Sequence, residues 1–251
     1  LVGRQSGTTL TTGALNTALG FEAMGGVHGG TALTGSNNVA VGHKAGRLLE
    51  GASNDNTLIG SLAGTAITTG DNNVAVGSSA GVAITDTADT VLIGYNAGTS
   101  ISHANGQGQV FIGSGAGDEI TTGSHNLGIG YLAFASADNA ESHNIAIGNY
   151  AMQLVDNDAS LKNIAIGHEA LEGGTGATVE CVAIGYEALT ASSHATTGTV
   201  AIGSKALTAL TSGTSNTAIG YQAGLGSTAN SNNTVVGYQA LKTADGNESG
   251  N

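Results

Sequence analysis

The sequence predicts an all-β protein, a parallel β-solenoid (a β-roll or β-helix) of about fourteen coils, with a repeat length of roughly 17–19 residues. Three observations predict it. One short motif recurs along nearly the whole chain; proline is absent from 251 residues; and each motif is strand-sized and apolar on both faces.

The motif comes first, because internal repeats decide the architecture. It reads NTALGFEA (16–23), NVAVGHKA (38–45), NTLIGSLA (56–63), NVAVGSSA (73–80), TVLIGYNA (90–97) and QVFIGSGA (109–116). It continues as NLGIGYLA (126–133), NIAIGNYA (144–151), NIAIGHEA (163–170), CVAIGYEA (181–188), TVAIGSKA (199–206), NTAIGYQA (216–223) and NTVVGYQA (233–240). Ile, Val or Leu precedes the glycine in all thirteen copies, and Ala follows three residues after it in all thirteen. Asn stands four residues before the glycine in nine of them. Asn144, Ile147, Gly148 and Ala151 represent these positions, as do Asn163, Ile166, Gly167, Ala170 and Asn216, Ile219, Gly220, Ala223. A degraded copy, Leu1-Val2-Gly3, opens the chain in mid-repeat, so residues 1–251 read as one repetitive segment of a longer fibre.

Composition supports the same class. The lack of proline keeps every backbone N–H available to a continuous ladder. The 42 glycines follow no strict triplet, which excludes collagen. With hydrophobic residues at 40% and charged residues at 10%, the chain is too apolar for a disordered linker. A net charge of −12 opposes binding to nucleic acid or to an anionic membrane surface. No apolar run is long enough to predict membrane insertion. The single cysteine, Cys181, excludes an internal disulfide framework.

Within each motif, alternation puts Ile145 and Ile147 on one strand face and Ala146 on the other. The large residues are expected to fill the coil. The alanine face (Ala18, Ala40, Ala75, Ala146, Ala165, Ala183, Ala201, Ala218) is then left flat, for a neighbouring subunit. After the glycine a second short strand is expected, its invariant Ala inward. Thr-, Ser-, Gly-, Asn- and Asp-rich turns join the motifs, and the Asn column should form a hydrogen-bonded ladder. Stacked at about 4.8 Å per strand, the coils would extend roughly 65 Å.

The motif N-[TVI]-A-[IV]-G-x-x-A resembles the repeats of bacteriophage tail-fibre proteins and of trimeric autotransporter adhesin heads, most closely at NTAIGYQA, NTVVGYQA and NIAIGHEA. That resemblance implies a left-handed roll, a homotrimer, and a virion location in contact with other fibre or virion proteins. The Tyr after the glycine and repeats longer than the adhesin's favour the phage type. A bacterial cell-surface adhesin head is the alternative. The implied function is a structural or adhesive segment that spaces or presents a host-binding tip, meeting a host cell-surface glycan or protein.

No catalytic residue, cofactor site or metal site is expected. The Gly-x-Gly pairs lack the strand–helix setting of a dinucleotide fold. His125 and His143, one repeat apart, offer two nitrogens and no third ligand. Asp156-Asn157-Asp158 lacks the spaced ligands of a calcium loop. A glycan-cleaving spike needs paired carboxylates in a groove, whereas here the acids are dispersed. The sporadic Thr17, Thr57, Thr217 and Thr234 do not make an ice-binding array. Tyr186, Tyr221 and Tyr238, with Tyr95 and Tyr131, are candidate surface contacts for sugars.

Overall fold

The computed structural model describes residues 1–8, 10–26, 31–102, 106–136, 141–155, 157, 159–174, 176–191 and 196–243. Among them there is no α-helix, and hence none long and apolar enough to cross a membrane. The chain forms two compact units, Leu1–His125 and Asn126–Asn251. Asp156, Asp158 and the tail from residue 244 lie outside the described residues.

In the first unit, β1 (Thr17–Leu19), β2 (Val39–Val41), β3 (Thr57–Ile59), β4 (Val74–Val76), β5 (Val91–Ile93) and β6 (Val110–Ile112) pair in sequence order, all parallel. The register is the one the motif dictates: Leu19, Val41, Ile59, Val76, Ile93 and Ile112 stand one above another. Val2 bridges to Leu19 and Gly3 shares the backbone conformation of the later motif glycines, so the degraded first copy occupies the same columns.

The second unit repeats this ladder with β7 (Leu127–Ile129), β8 (Ile145–Ile147), β9 (Ile164–Ile166), β11 (Val182–Ile184), β13 (Val200–Ile202), β15 (Thr217–Ile219) and β16 (Thr234–Val236). It adds a small parallel sheet from the stretches before the motif: β10 (Thr178–Val179), β12 (Thr196–Thr197) and β14 (Gly213–Thr214). The fold is a parallel β-solenoid, as the repeat predicts. The second strand expected after the glycine is instead a tight turn, though its Ala does point inward, with Ala151, Ala170 and Ala223 fully buried.

The motif glycine is required twice over. Gly148 has φ +136, and a Cβ there would overlap the carbonyl oxygen of Gly167 in the next coil. Side chains are excluded both by conformation and by the close approach of the next backbone.

The turns are laddered as tightly as the strands. Lys44, Leu62 and Ser79, each with positive φ, donate their N–H to the carbonyls of Phe21, His43 and Ser61 one coil earlier. A proline in such a turn would break a coil-to-coil bond and could not adopt the positive φ, which accounts for its absence from the loops as well as the strands.

The interior corrects one expectation. Ala18, Ala40, Ala75, Ala146, Ala165, Ala183, Ala201 and Ala218 are at most 1% exposed within the single chain, so the alanine face lines the inside of the coil. The Val, Ile and Leu on either side of it point outward. The reason is the narrowness of the coil. The strand centre faces the buried Ala three residues after the glycine and the residue that follows it, and those leave room for little more than a methyl group. Where the following residue is glycine, a larger strand centre fits: a Cβ on Gly64 would lie 2.7 Å from Leu58 Cδ2 and 2.8 Å from Ile67 Cδ1.

Candidate functional site

Three features run along the coils as columns. The first is the buried Asn ladder. Asn144 N donates to Asn126 Oδ1 at 2.9 Å and Asn163 N to Asn144 Oδ1 at 2.9 Å, while Asn144 Nδ2 donates to Ser160 O at 3.0 Å and Asn163 Nδ2 to Thr178 O at 2.7 Å. In the first unit Asn38 and Asn56 do the same, bonding to Asn16 and Asn38 and to the carbonyls of Ser53 and Gly70. Asn216 Nδ2 reaches Asn230 O at 2.6 Å. Each amide thus closes its own coil onto the next one, and satisfies backbone groups that burial would otherwise leave unpaired.

Substitutions in this column show what the amide does. Thr90 keeps the link by donating its hydroxyl to Asn73 Oδ1 at 2.7 Å. The Cys181 N–H donates the ladder bond to Asn163 Oδ1 at 2.9 Å, but its side chain offers no oxygen onward, and the buried Thr199 Oγ1 one coil later has no hydrogen-bond partner. Burial pushes the Cys181 thiol above its ordinary range, so it is a buried, unreactive filler.

The second feature is the outward face of the main ladder. Ile166 is 37% exposed, Ile219 40% and Val236 64%; Ile147 and Ile184 are half-buried. In the first unit Leu19, Ile59 and Ile93 are exposed in the same column. A second column three residues before the glycine carries Val39, Val74, Val91 and Val110, then Leu127, Ile145, Ile164, Val182 and Val200. Each unit therefore presents a two-column sheet face to its surroundings, apolar except at Thr17 and Thr57 in the first unit and Thr217 and Thr234 in the second. Contiguous apolar surface of this kind marks an interaction site.

The third feature is a strip of rings and polar groups on the turn after the glycine. In the second unit, Tyr131 and Tyr150 meet at 5.3 Å and 89°, Tyr150 and His168 at 5.7 Å and 76°, and His168 and Tyr186 at 5.5 Å and 26°. Lys205 Nζ lies 5.7 Å from the Tyr186 ring centre and 3.3 Å from Glu187 Oε2. The Tyr186 phenol donates to the Glu187 carboxylate, which pushes the phenol up and holds the carboxylate below its usual range. Beside them Glu172 is pushed up by burial and by Glu169. Tyr221 and Tyr238 stack at 5.3 Å.

Of the sequence-predicted surface contacts, Tyr186, Tyr221 and Tyr238 are exposed, and Tyr186 joins the longer column. Sequence reasoning missed Tyr150 and His168 as parts of it, because it followed only Tyr at the first position after the glycine. Aligning both variable turn positions across the copies would have found them. His125 and His143 fall in different units, each exposed with positive φ at the turn before the ladder residue. Among the described residues, no three His, Cys, Asp or Glu side chains gather as a metal site. Comparison with protein-family models, curated proteins and solved structures finds no match.

Proposed function

We propose that this chain is a structural segment of a homotrimeric attachment fibre of the phage tail-fibre type, spacing or presenting a host-binding tip on the virion. The observation that carries the reading is the outward Val/Ile/Leu face. A single chain leaves it in water, and packing three such faces together would bury it at about 25 cal/mol per Å² of apolar surface. The subunit interface is thus reassigned from alanine to the β-branched columns. Charge agrees with this assignment: among the described residues the acidic side chains lie on turns and loops, so the sheet face brings no unpaired charge into the interface. The same geometry would serve the head of a bacterial surface adhesin, but the recurrent Gly-Tyr step favours the fibre type.

Light scattering coupled to size exclusion tests the reading. The expected mass is three times the 24.4 kDa of one chain, and Ile166→Lys with Ile219→Lys is expected to release monomers that keep their β-sheet signal. A wild-type monomer would overturn the proposal.

A further inference from the structure

The ring strip of the second unit is more than packing. The first unit stacks Phe21 on His43 at 5.6 Å in two coils but builds the same turn with exposed Ser61 and Ser78 in the next two, with the same positive φ at the next residue and the same coil-to-coil bonds. The backbone therefore does not need aromatic side chains there. Tyr131 and Tyr186 remain 46% and 47% exposed, so they add little to the core either.

Ring orientation points to a ligand. His168 and Tyr186 are nearly parallel with centres 5.5 Å apart, too close for rings lying side by side in one plane, so they stack face to face along the column. Tyr150 stands at 76° to His168 and therefore turns its own faces across the column. An aromatic face turned out of a stack is the surface on which a pyranose ring settles, its positively polarised C–H bonds meeting the negative quadrupole.

The neighbouring groups suit the rest of a sugar. Glu169 and Glu187 occupy the equivalent turn position in the two following coils, each half-buried beside the rings. Carboxylates accept strong paired bonds from vicinal hydroxyls. Lys205, held by Glu187, is the next residue of that column and can donate. The coils repeat at about 4.8 Å, close to the length of one hexose in an extended chain, so successive residues of a glycan would meet successive coils. Glu169, Glu172 and Glu187 would repel sialylated or uronic acid chains.

We propose that Tyr150, His168 and Tyr186, with Glu169, Glu187 and Lys205, form a binding platform for an uncharged, linear hexose or N-acetylhexosamine chain lying along the coils. This goes beyond the fibre reading, since it places a carbohydrate contact on the repeat segment itself.

The test is saturation-transfer NMR and tyrosine fluorescence titration of the whole chain with malto-, cello- and chitooligosaccharides; the absence of tryptophan leaves tyrosine as the reporter. At least one series is expected to bind. Tyr150→Ala and Tyr186→Ala should each weaken it tenfold or more and Glu187→Gln about fivefold, the difference between a charged and a neutral hydrogen bond. Tyr150→Phe should retain binding, and Tyr95→Ala in the first unit should leave it unchanged. Because Tyr186 is exposed, its variant folds even if Tyr150→Ala does not. Failure of all three series to bind, or binding indifferent to Tyr186→Ala, overturns the platform. Mass measured on the same sample separates the two proposals: a monomer that binds sugar sinks only the trimer, and a trimer that ignores the panel sinks only the platform.

Discussion

The two units build one backbone around two different interiors. In the first, glycine holds the fourth position after the motif glycine in five copies (Gly46, Gly64, Gly81, Gly98, Gly117), and space is filled from the strand by Leu58, Leu92 and Phe111 and from the far wall by Leu49, Ile67, Ile84, Ile101 and Ile120. In the second, that position carries Phe134, Met152, Leu171, Leu189, Leu207 and Leu241, with glycine persisting at Gly224, and the strand centres shrink to Gly128, Ala146, Ala165, Ala183, Ala201 and Ala218, Val235 being larger. The smallest strand centre, Gly128, shares its copy with the largest turn residue, Phe134. In most copies the volume moves from one side of the coil to the other, and where both positions are small (Ala40 with Gly46, Ala75 with Gly81, Ala218 with Gly224) Leu58, Leu92 or Leu207 of a neighbouring coil reaches in, as close packing requires.

The exchange has a conformational cost. The fourth position has φ near +55 whichever residue fills it, +54 at Gly64 and +45 at Leu171. Glycine takes this freely, whereas a leucine loses about 1–2 kcal/mol to the left-handed backbone. Fully burying its side chain returns about 1.5–3 kcal/mol. The second unit accepts this strain in most of its coils and the first only at Met24 (φ +48, fully buried), because burial offsets it.

The largest effect should come where the units agree. Gly60→Ala and Gly167→Ala each force a Cβ into the next coil's backbone and should cost at least about 3 kcal/mol, visible as lost hydrogen-exchange protection around the altered coil. Equal melting of wild type and variant would break the claim of a shared glycine column.

Next in size is a swap between the two interiors. Leu58→Ala alone should cost about 2–5 kcal/mol by leaving a cavity, and Gly64→Leu alone about 1–3 kcal/mol by overpacking. Together they convert a first-unit coil to the second-unit solution, and denaturant melts should show a favourable coupling of about 0.5–3 kcal/mol. Strict additivity would show that the two positions do not share one space.

Cys181→Asn should stabilise the second unit by about 1 kcal/mol, giving Thr199 Oγ1 the oxygen that Asn73 gives Thr90; a neutral or lower melting point would deny the ladder its role. Smallest is Asp118→Asn in the first unit. Burial, then Glu119, raises the Asp118 pKa above 3.8. The folded form therefore binds its proton more readily than the unfolded chain, and stability from this group rises as pH falls from the folded pKa towards 3.8. Because the carboxyl is only partly buried, solvent screening keeps the effect small. The substitution should raise the midpoint at neutral pH by about 1 °C or less, as a change of about a few tenths of a kcal/mol does, and remove that acid-side gain.

Much of this was readable along the chain. The Ile/Val–Gly step predicts the parallel register, since a two-residue period and a repeated glycine allow only one stacking of equal coils. The Asn column predicts the ladder, in which Thr90 serves as a working substitute. The inward Ala151, Ala170 and Ala223 were likewise anticipated. The turn that replaces the strand after the glycine was not, because positive φ at non-glycine residues such as Glu169 and Leu171 leaves no mark in residue type.

Sequence alone settled the architecture of each unit: which residues pair, in what order, and why proline is missing, all consequences of a repeat that every backbone N–H must serve. Which side of the strand faces inward was decided only by the folded coil. Both sides of Ile145-Ala146-Ile147 are apolar, so hydrophobicity could not choose between them. The width left by the opposing Ala and its neighbour chose alanine, and turned the isoleucines outward.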